Sequence, residues 1–438
     1  MNPSRRKFFK NSVKIIAATS IVSAFPGQVS CSNPNKKVVV GAIGLRNQGW
    51  ANLRGILKQP NVECAAICDI DDNILNGRAG QLEKDYQIKP TLHKDFRELL
   101  DNKDIDAVLI GTPDHWHCIM TVMALDAGKH VYVEKPMANS IEEAEIMVKA
   151  AKKHKKLVVT VGQWQRSGQH WQDAIDYVHS GELGTIGRVK AWAYTSKPKL
   201  PVVKDSPVPD GVDYDLWLGP APERPFNKNH FHYNFRYFWN YAGGLMADWG
   251  VHMLDYALYG MKVSTPNSIV ATGGRFSYPD GARQTPDTLN IGYEFDDFSI
   301  NWEHSVNLGV GPEKLSHGVI FQGLNGSLMV NRNGWQVSAE KLNAEEFKLE
   351  TVPTQVANSS GFDQHFINFL DAIRSGAKPN CPIETGRDVA VFAHMGNIAY
   401  RTSEKIIWDK NENRFSNSDA ANALITPEYR APWKLPQV

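Results

Sequence analysis

The segment Lys37–Ile43 (KVVVGAI) is β-branched, apolar in an unbroken run and bounded by glycine, which predicts a buried strand. A helical stretch follows through Lys58, and a second strand is predicted over Val62–Cys68. Buried strands recur at Ala107–Gly111, Val131–Val133 and Leu157–Val161. Between them the pattern predicts helices over Ile119–Ala127, stopped by Gly128, and over Ile141–His154. Strands alternating with helices of this length predict a parallel sheet with crossover helices. Farther along, strand-like runs appear at Gly187–Tyr194, Ser268–Phe276, Thr288–Phe295, Phe298–His304, Gly318–Gly323 and Ser327–Asn331. The Pro-rich segment 198–232 reads as a long loop, and long loops in compact domains are usually functional. No internal repeat or low-complexity stretch is visible.

Composition narrows the class. The 438 residues are 42% apolar and 22% charged, near globular averages, which argues against disorder and leaves room for two or three domains. Lys+Arg number 48 against 47 Asp+Glu, a balance that argues against nucleic-acid binding. No apolar run in the mature chain approaches the roughly 18 residues of a membrane span. The charge is uneven, however: residues 1–33 hold Arg5, Arg6, Lys7, Lys10 and Lys14 and no acid. Twin arginines, a weakly apolar stretch from Val13 to Phe25 and then small residues are the order of an export signal of the Tat type. That route carries proteins already folded and predicts a periplasmic location. Cys31 follows a small residue, where a lipid anchor would sit, but the usual aliphatic residue three positions before it is missing; an unmodified cysteine is the alternative. Cys64 and Cys68 fall in one strand, roughly 13 Å apart, too far to bridge.

The first strand runs into Gly44-Leu45-Arg46-Asn47-Gln48-Gly49, close to the G-x-G-x-x-G dinucleotide fingerprint with Arg46 in place of the second glycine. Such a loop brings pyrophosphate onto helix N-terminal amides, and Arg46 would add its own charge. The second strand ends at Asp69, near where a carboxylate accepts ribose hydroxyls and repels a 2′-phosphate, so NAD is favoured over NADP. Capping a turn is the alternative role for Asp69. Thr112-Pro113-Asp114-His115-Trp116-His117 and Glu134-Lys135-Pro136 follow later strands, and ligands of parallel sheets bind at strand carboxyl ends.

Glu134-Lys135-Pro136 after such a unit resembles the Gfo/Idh/MocA oxidoreductase family. So do Asp248-Trp249-Gly250-Val251-His252, within a Gly243–His252 stretch, together with Gly181–Gly187, Gly323–Gly326 and His365 through Gly376. The likeness covers roughly residues 37–405, and Arg46 is its departure. It implies an α/β chain: an N-terminal Rossmann dinucleotide-binding domain (36–162), then an α+β domain with an open, mostly antiparallel sheet (163–405) and a C-terminal extension (406–438). It also implies NAD as cofactor, a sugar or glycoside substrate and a homo-oligomer.

Oxidising a secondary alcohol requires a base for the hydroxyl proton and a nicotinamide to accept the hydride. The resemblance assigns His252 as acid/base, Lys135 as proton relay and hydroxyl anchor, and Asp248 as substrate ligand. A helix cap and a satisfied core histidine are the alternatives for Asp248 and His252, which a continuous helix would place one turn apart. Gly44, Arg46, Gly49, Asp69, Thr112, Pro113, His117, Glu134 and Lys135 form the expected cofactor set. Trp164, Arg166, His232 and Asp248 form the expected substrate set. Arg166 reads equally as an interdomain salt bridge, and the aromatic run His230–Trp239 as sugar pocket, core or subunit interface. No recognisable metal spacing or nucleophile elbow is present. An exported nicotinamide enzyme must restore its cofactor in place. Two branches of the family do so: coupled sugar oxidoreduction, as in glucose–fructose oxidoreductase, and the redox-neutral NAD-dependent glycosidase cycle. A non-catalytic carbohydrate- or nucleotide-binding module is the reading from a different class.

Overall fold

The computed structural model describes residues 36–438, so the twin-arginine segment and Cys31 lie outside the described residues. Six parallel strands form the first sheet: β1 (Val38–Ile43), β2 (Val62–Cys68), β3 (Thr91–His93), β4 (Ala107–Ile110), β5 (His130–Val133) and β6 (Val159–Val161). Their order is β3-β2-β1-β4-β5-β6, so the winding reverses between β1 and β4, and a crevice opens there at the strand carboxyl ends. The hydrophobic pattern misses β3 because it is three residues long and two of them are exposed. Helices α1 (Asn47–Leu57), α2 (Asp72–Tyr86), α3 (Phe96–Asp101), α4 (His117–Asp126) and α5 (Ile141–Lys153) complete this half. The start of α5 is fixed by Ser140, whose Oγ accepts the Glu143 N–H at 3.1 Å. Glu142 and Glu143 in its first turn and Lys152 and Lys153 in its last match the helix dipole.

The second half is built on ten strands: β7 (Ile186–Tyr194), β8 (Ser268–Gly274), β9 (Thr288–Glu294), β10 (Ser299–Ser305), β11 (His317–Gly323), β12 (Gly326–Asn331), β13 (Gly334–Ala339), β14 (Val352–Val356), β15 (Ile406–Asp409) and β16 (Arg414–Phe415). All neighbours are antiparallel except β7 and β10, which run parallel. One face is buried, with Leu289, Ile291 and Tyr293 of β9 and Ile300 and Trp302 of β10 pointing inward. Helices α6 (Gln169–His179), α8 (Val251–Met261) and α10 (Ile383–Thr402) lie in this half, as does the short α7 (Tyr214–Leu218) of the 198–232 loop. Most of the aromatic run joins that loop's core, where Tyr237, Phe238 and Tyr241 pack with Tyr214 and Trp217.

Packing crosses the expected boundaries at residues 162 and 405. Helix α9 (Phe362–Ser375) returns to the first sheet, where Phe366 stacks on Tyr132 of β5 at 5.0 Å. A side chain at Gly55 of α1 would sit 2.6 Å from the Phe366 ring, so this glycine permits the close approach. The segment after 405 is no appendage either: β15 pairs with β8, and the tail beyond it docks on the first half. There the Trp433 ring meets that of Trp116 edge-on at 4.8 Å and Tyr429 Oη donates to Glu143 at 2.6 Å. Cys64, Cys68, Cys118 and Cys381 are all buried and free. Among the described residues no helix is long and apolar enough to cross a membrane.

Candidate active site

The carboxyl ends of β1 and β4 meet through glycine. Gly44 follows β1 with φ +80°, and a Cβ there would lie 2.9 Å from the Gly111 carbonyl. A Cβ at Gly49 would come within 1.9 Å of the Gly44 oxygen, so α1 can sit against the loop only with glycine at this turn. Above these contacts lies a cleft of about 600 Å³, a volume typical of ligand sites. Gly44, Arg46, Asp69, Thr112, Pro113 and Glu134 line it from the first half. Lys135, Trp164, His232, Asp248 and His252 line it as well.

Asp69 ends β2 with its carboxylate accepting the Leu45 N–H at 2.8 Å and the Asp71 N–H at 3.1 Å. Burial outweighs these bonds and pushes it up to about 6. Glu134 accepts from Asn52 Nδ2 of α1 at 2.8 Å and from the Lys135 N–H at 3.1 Å. Lys135 then reaches across the cleft: its Nζ donates to Asp248 Oδ1 at 2.7 Å and to the Asp248 carbonyl at 2.9 Å. The other Asp248 oxygen meets Arg236 Nη1 at 2.7 Å. Burial alone would raise the Asp248 carboxyl, but Arg236 and Lys135 outweigh it and hold it well below the usual carboxylate range.

Met246–Gly250 forms a π-helical turn that runs straight into α8, rather than the continuous α-helix expected from the sequence. Such wide turns are frequent at functional sites. The turn carries Asp248, and His252 follows in the first turn of α8. Burial drives His252 well below the ordinary imidazole value, and Lys135 and Arg332 push the same way, so the ring is neutral. Its Nδ1 is buried without a hydrogen-bond partner among the described residues.

Of the expected residues, Arg166, His117 and Gly49 do not line the cleft. Arg166 forms a salt bridge, the alternative reading for it: the short helical turn after β6 aims it at α8, where it makes a forked pair with Asp255 at 2.7–3.0 Å. His117 is absent from the cleft lining; its two ring nitrogens lie 2.8 and 2.9 Å from the Pro136 and Thr112 carbonyl oxygens, and the neutral ring donates to one of them, between the two strand-end loops. His232 lines the cleft against Asp71 of the first half, at 2.9 Å. Gly49 is a packing contact beneath the lining. Conversely, Arg236, Arg332 and Asp114 line the cleft without having been expected there. Burial raises Asp114 to about 8 despite the nearby Arg236 and Lys135. Arg236 was concealed within the aromatic run, and Arg332 sits in the β12–β13 turn, where sequence patterns show only turn residues. No group of three or more His, Cys, Asp or Glu side chains among the described residues is arranged to hold a metal ion.

A close-packed glycine loop, a helix N-terminus at the cleft and a carboxylate just after β2 suit a dinucleotide, and these features fit NAD. Residues 36–163 match the family profile described as "Oxidoreductase family, NAD-binding Rossmann fold". Residues 185–271 and 343–435 match "Oxidoreductase family, C-terminal alpha/beta domain" of the same group. An uncharacterized oxidoreductase, YrbE of Bacillus subtilis, is 27% identical over 247 residues, 56% of this chain and 60% of that protein. A glycosyl hydrolase family 109 protein of Shewanella baltica is 34% identical over 128 residues, 28% of each chain. The alignments therefore span less than two thirds of these relatives. Among solved structures, levoglucosan dehydrogenase in complex with NADH and levoglucosan shares the fold at a TM-score of 0.66 and 19% identity. That match covers 85% of this chain and 99% of the other. With an NAD-binding Rossmann domain, the matching C-terminal domain and both strand-end motifs in one cleft, the chain belongs to the Gfo/Idh/MocA oxidoreductase family.

Proposed function

We propose that the protein is a carbohydrate-active oxidoreductase that uses NAD to oxidise and reduce a hydroxyl of a sugar or glycoside. The observation that carries this reading is the contact of Lys135, from the dinucleotide-binding sheet, with Asp248, from the second half, beside a neutral His252. Bound NAD supplies an acceptor for the hydride of a secondary alcohol. Lys135 anchors the hydroxyl and relays its proton, held in place by Asp248 at 2.7 Å. His252, already neutral, accepts that proton or returns it. Asp248 keeps Lys135 and Arg236 oriented and offers its carboxylate to substrate hydroxyls. Gly44, Arg46, Asp69, Thr112, Pro113 and Glu134 hold the dinucleotide. The test is the absorbance of the NAD-loaded protein after sugar is added. A nicotinamide reduction band is expected with at least one sugar, and a protein that neither contains nor binds NAD overturns the reading in favour of a different cleft ligand.

A second reading, a redox-neutral glycoside hydrolase, is favoured by the similarity to glycosyl hydrolase family 109 proteins. Release of the aglycone from aryl glycosides without an added acceptor would select it over net oxidoreduction.

Asp69 gives the cofactor site a pH dependence. Its carboxyl is pushed up to about 6, so the ionised acceptor that ribose hydroxyls require is lost as pH falls through that value. NAD affinity measured by titration is expected to weaken between pH 7.5 and pH 5, and Asp69→Asn to bind weakly with no such step. We also propose export of the folded protein through Arg5 and Arg6 to the periplasm, an optional lipid anchor at Cys31, and assembly as a homo-oligomer. Outward-facing apolar residues of the second sheet such as Val270, 46% exposed, suit a subunit contact. Replacing both arginines by lysine is expected to retain the protein inside the cell, read by fractionation.

A further inference from the structure

The substrate end of the cleft contains a guanidinium whose charge no carboxylate among the described residues engages. Arg332 projects from the turn between β12 and β13, and its Nε and Nη2 both donate to Gln165 Oε1 at 3.2 Å. Its Cζ lies 4.8 Å from the centre of the Trp164 ring and 4.6 Å from that of Trp249, so the guanidinium contacts two indole faces. Both rings line the cleft, and they lie 6.1 and 6.0 Å from the His252 ring. Asp248 is the carboxylate whose field reaches Arg332, but Lys135 and Arg236 already occupy its two oxygens.

Withdrawing a cation from water is costly unless an opposite charge meets it, and the indole faces offset only part of that cost. Burial lowers the Arg332 pKa to about 10, so the group remains charged at neutral pH. A guanidinium carries five N–H donors, and the Gln165 oxygen takes two of them. The remaining edge forms a planar fork whose best complement is a carboxylate or sulfate. The two indoles confine the group, and a lysine, with no planar fork, could not reproduce the arrangement.

Building on the sugar-oxidoreductase reading, we propose that the sugar or glycoside bound here carries an anionic group, a carboxylate or a sulfate, held by Arg332 between Trp164 and Trp249. The anion would then sit beside His252 and fix which hydroxyl faces Lys135, making Arg332 the specificity-determining residue of the site.

The test uses the full protein loaded with NAD. Methyl glucuronide, methyl galacturonide and methyl glucoside 6-sulfate are compared with methyl glucoside and methyl galactoside. Binding is read by tryptophan fluorescence, and turnover by reduction of the cofactor. The wild type is expected to bind at least one anionic glycoside about tenfold more tightly than its neutral counterpart, the scale of one hydrogen bond to a charged group. The uronides and the sulfate separate the two anion types. Arg332→Gln is expected to abolish the difference and Arg332→Lys to keep part of it, both with wild-type circular dichroism. Should Arg332→Gln fail to fold, the wild type and Arg332→Lys decide. Equal affinity for charged and neutral glycosides in the wild type, binding of neither kind, or a preference that survives in Arg332→Gln overturns the proposal. Tight binding of an anionic glycoside with no cofactor reduction by any sugar would count against the oxidoreductase reading and leave the anion site standing.

Discussion

Replacing Lys135 by alanine is expected to lower turnover by about 10²–10⁴-fold, the usual contribution of a positioned proton-transfer group. NAD should still bind. Glu134 would keep both Asn52 and the backbone N–H of residue 135, so the cofactor side of the cleft is undisturbed. Asp248 would keep Arg236 as a partner, so no buried carboxylate is left unpaired. His252→Ala is expected to give a loss of the same order. The His252 Nδ1 has no hydrogen-bond partner among the described residues, so the variant loses packing but no hydrogen bond at that atom, and circular dichroism checks that it is folded. Single-turnover reduction of bound NAD, with NAD content measured alongside, checks both; a wild-type rate in either variant removes that residue from the proton path.

Asp248→Ala has the opposite balance. It would leave Lys135 and Arg236 facing each other across the cleft with no anion between them. Breaking a buried pair by removing one partner costs about 3–5 kcal/mol, and here one carboxylate serves two cations. A large drop in the denaturant midpoint is expected, together with loss of turnover. The pH sign follows from the direction of the shift. The Asp248 carboxyl lies well below its ordinary value in the folded chain, so its stabilisation is fully present above the unfolded-state pKa and fades only as pH falls toward strong acid. The difference between wild type and Asp248→Ala should therefore be constant from pH 6 to 8 and shrink on acidification. An unchanged midpoint at pH 7 would show that the two cations are satisfied without the carboxylate.

The strands that carry the dinucleotide loop were legible because parallel strands, buried on both faces, read as unbroken β-branched runs. Edge elements were not. β3 is mostly exposed, and β14 contains Pro353 and faces water along most of its length, so neither shows a hydrophobic signature. Asp69, Glu134 and Lys135 could be placed because a parallel sheet delivers every strand end to one crevice. The second half offers no such rule. Arg236 lies in an irregular loop and Arg332 in a hairpin turn, and no periodicity predicts where a turn residue reaches. Arg166 shows the converse: its position after β6 was read correctly, but the helical turn there rotates it toward Asp255, and sequence spacing carries no information about that rotation.

Helix α9 gives the first sheet a surface it does not complete for itself. Phe362, Phe366 and Phe369 cover the groove between Tyr132 and Gly55, more than 200 residues earlier in the chain. A polypeptide ending near residue 162 would expose that groove as an apolar strip, the kind of surface that drives association. The dinucleotide-binding half is thus not a detachable cassette: its surface is covered only once the chain has been synthesised through α9.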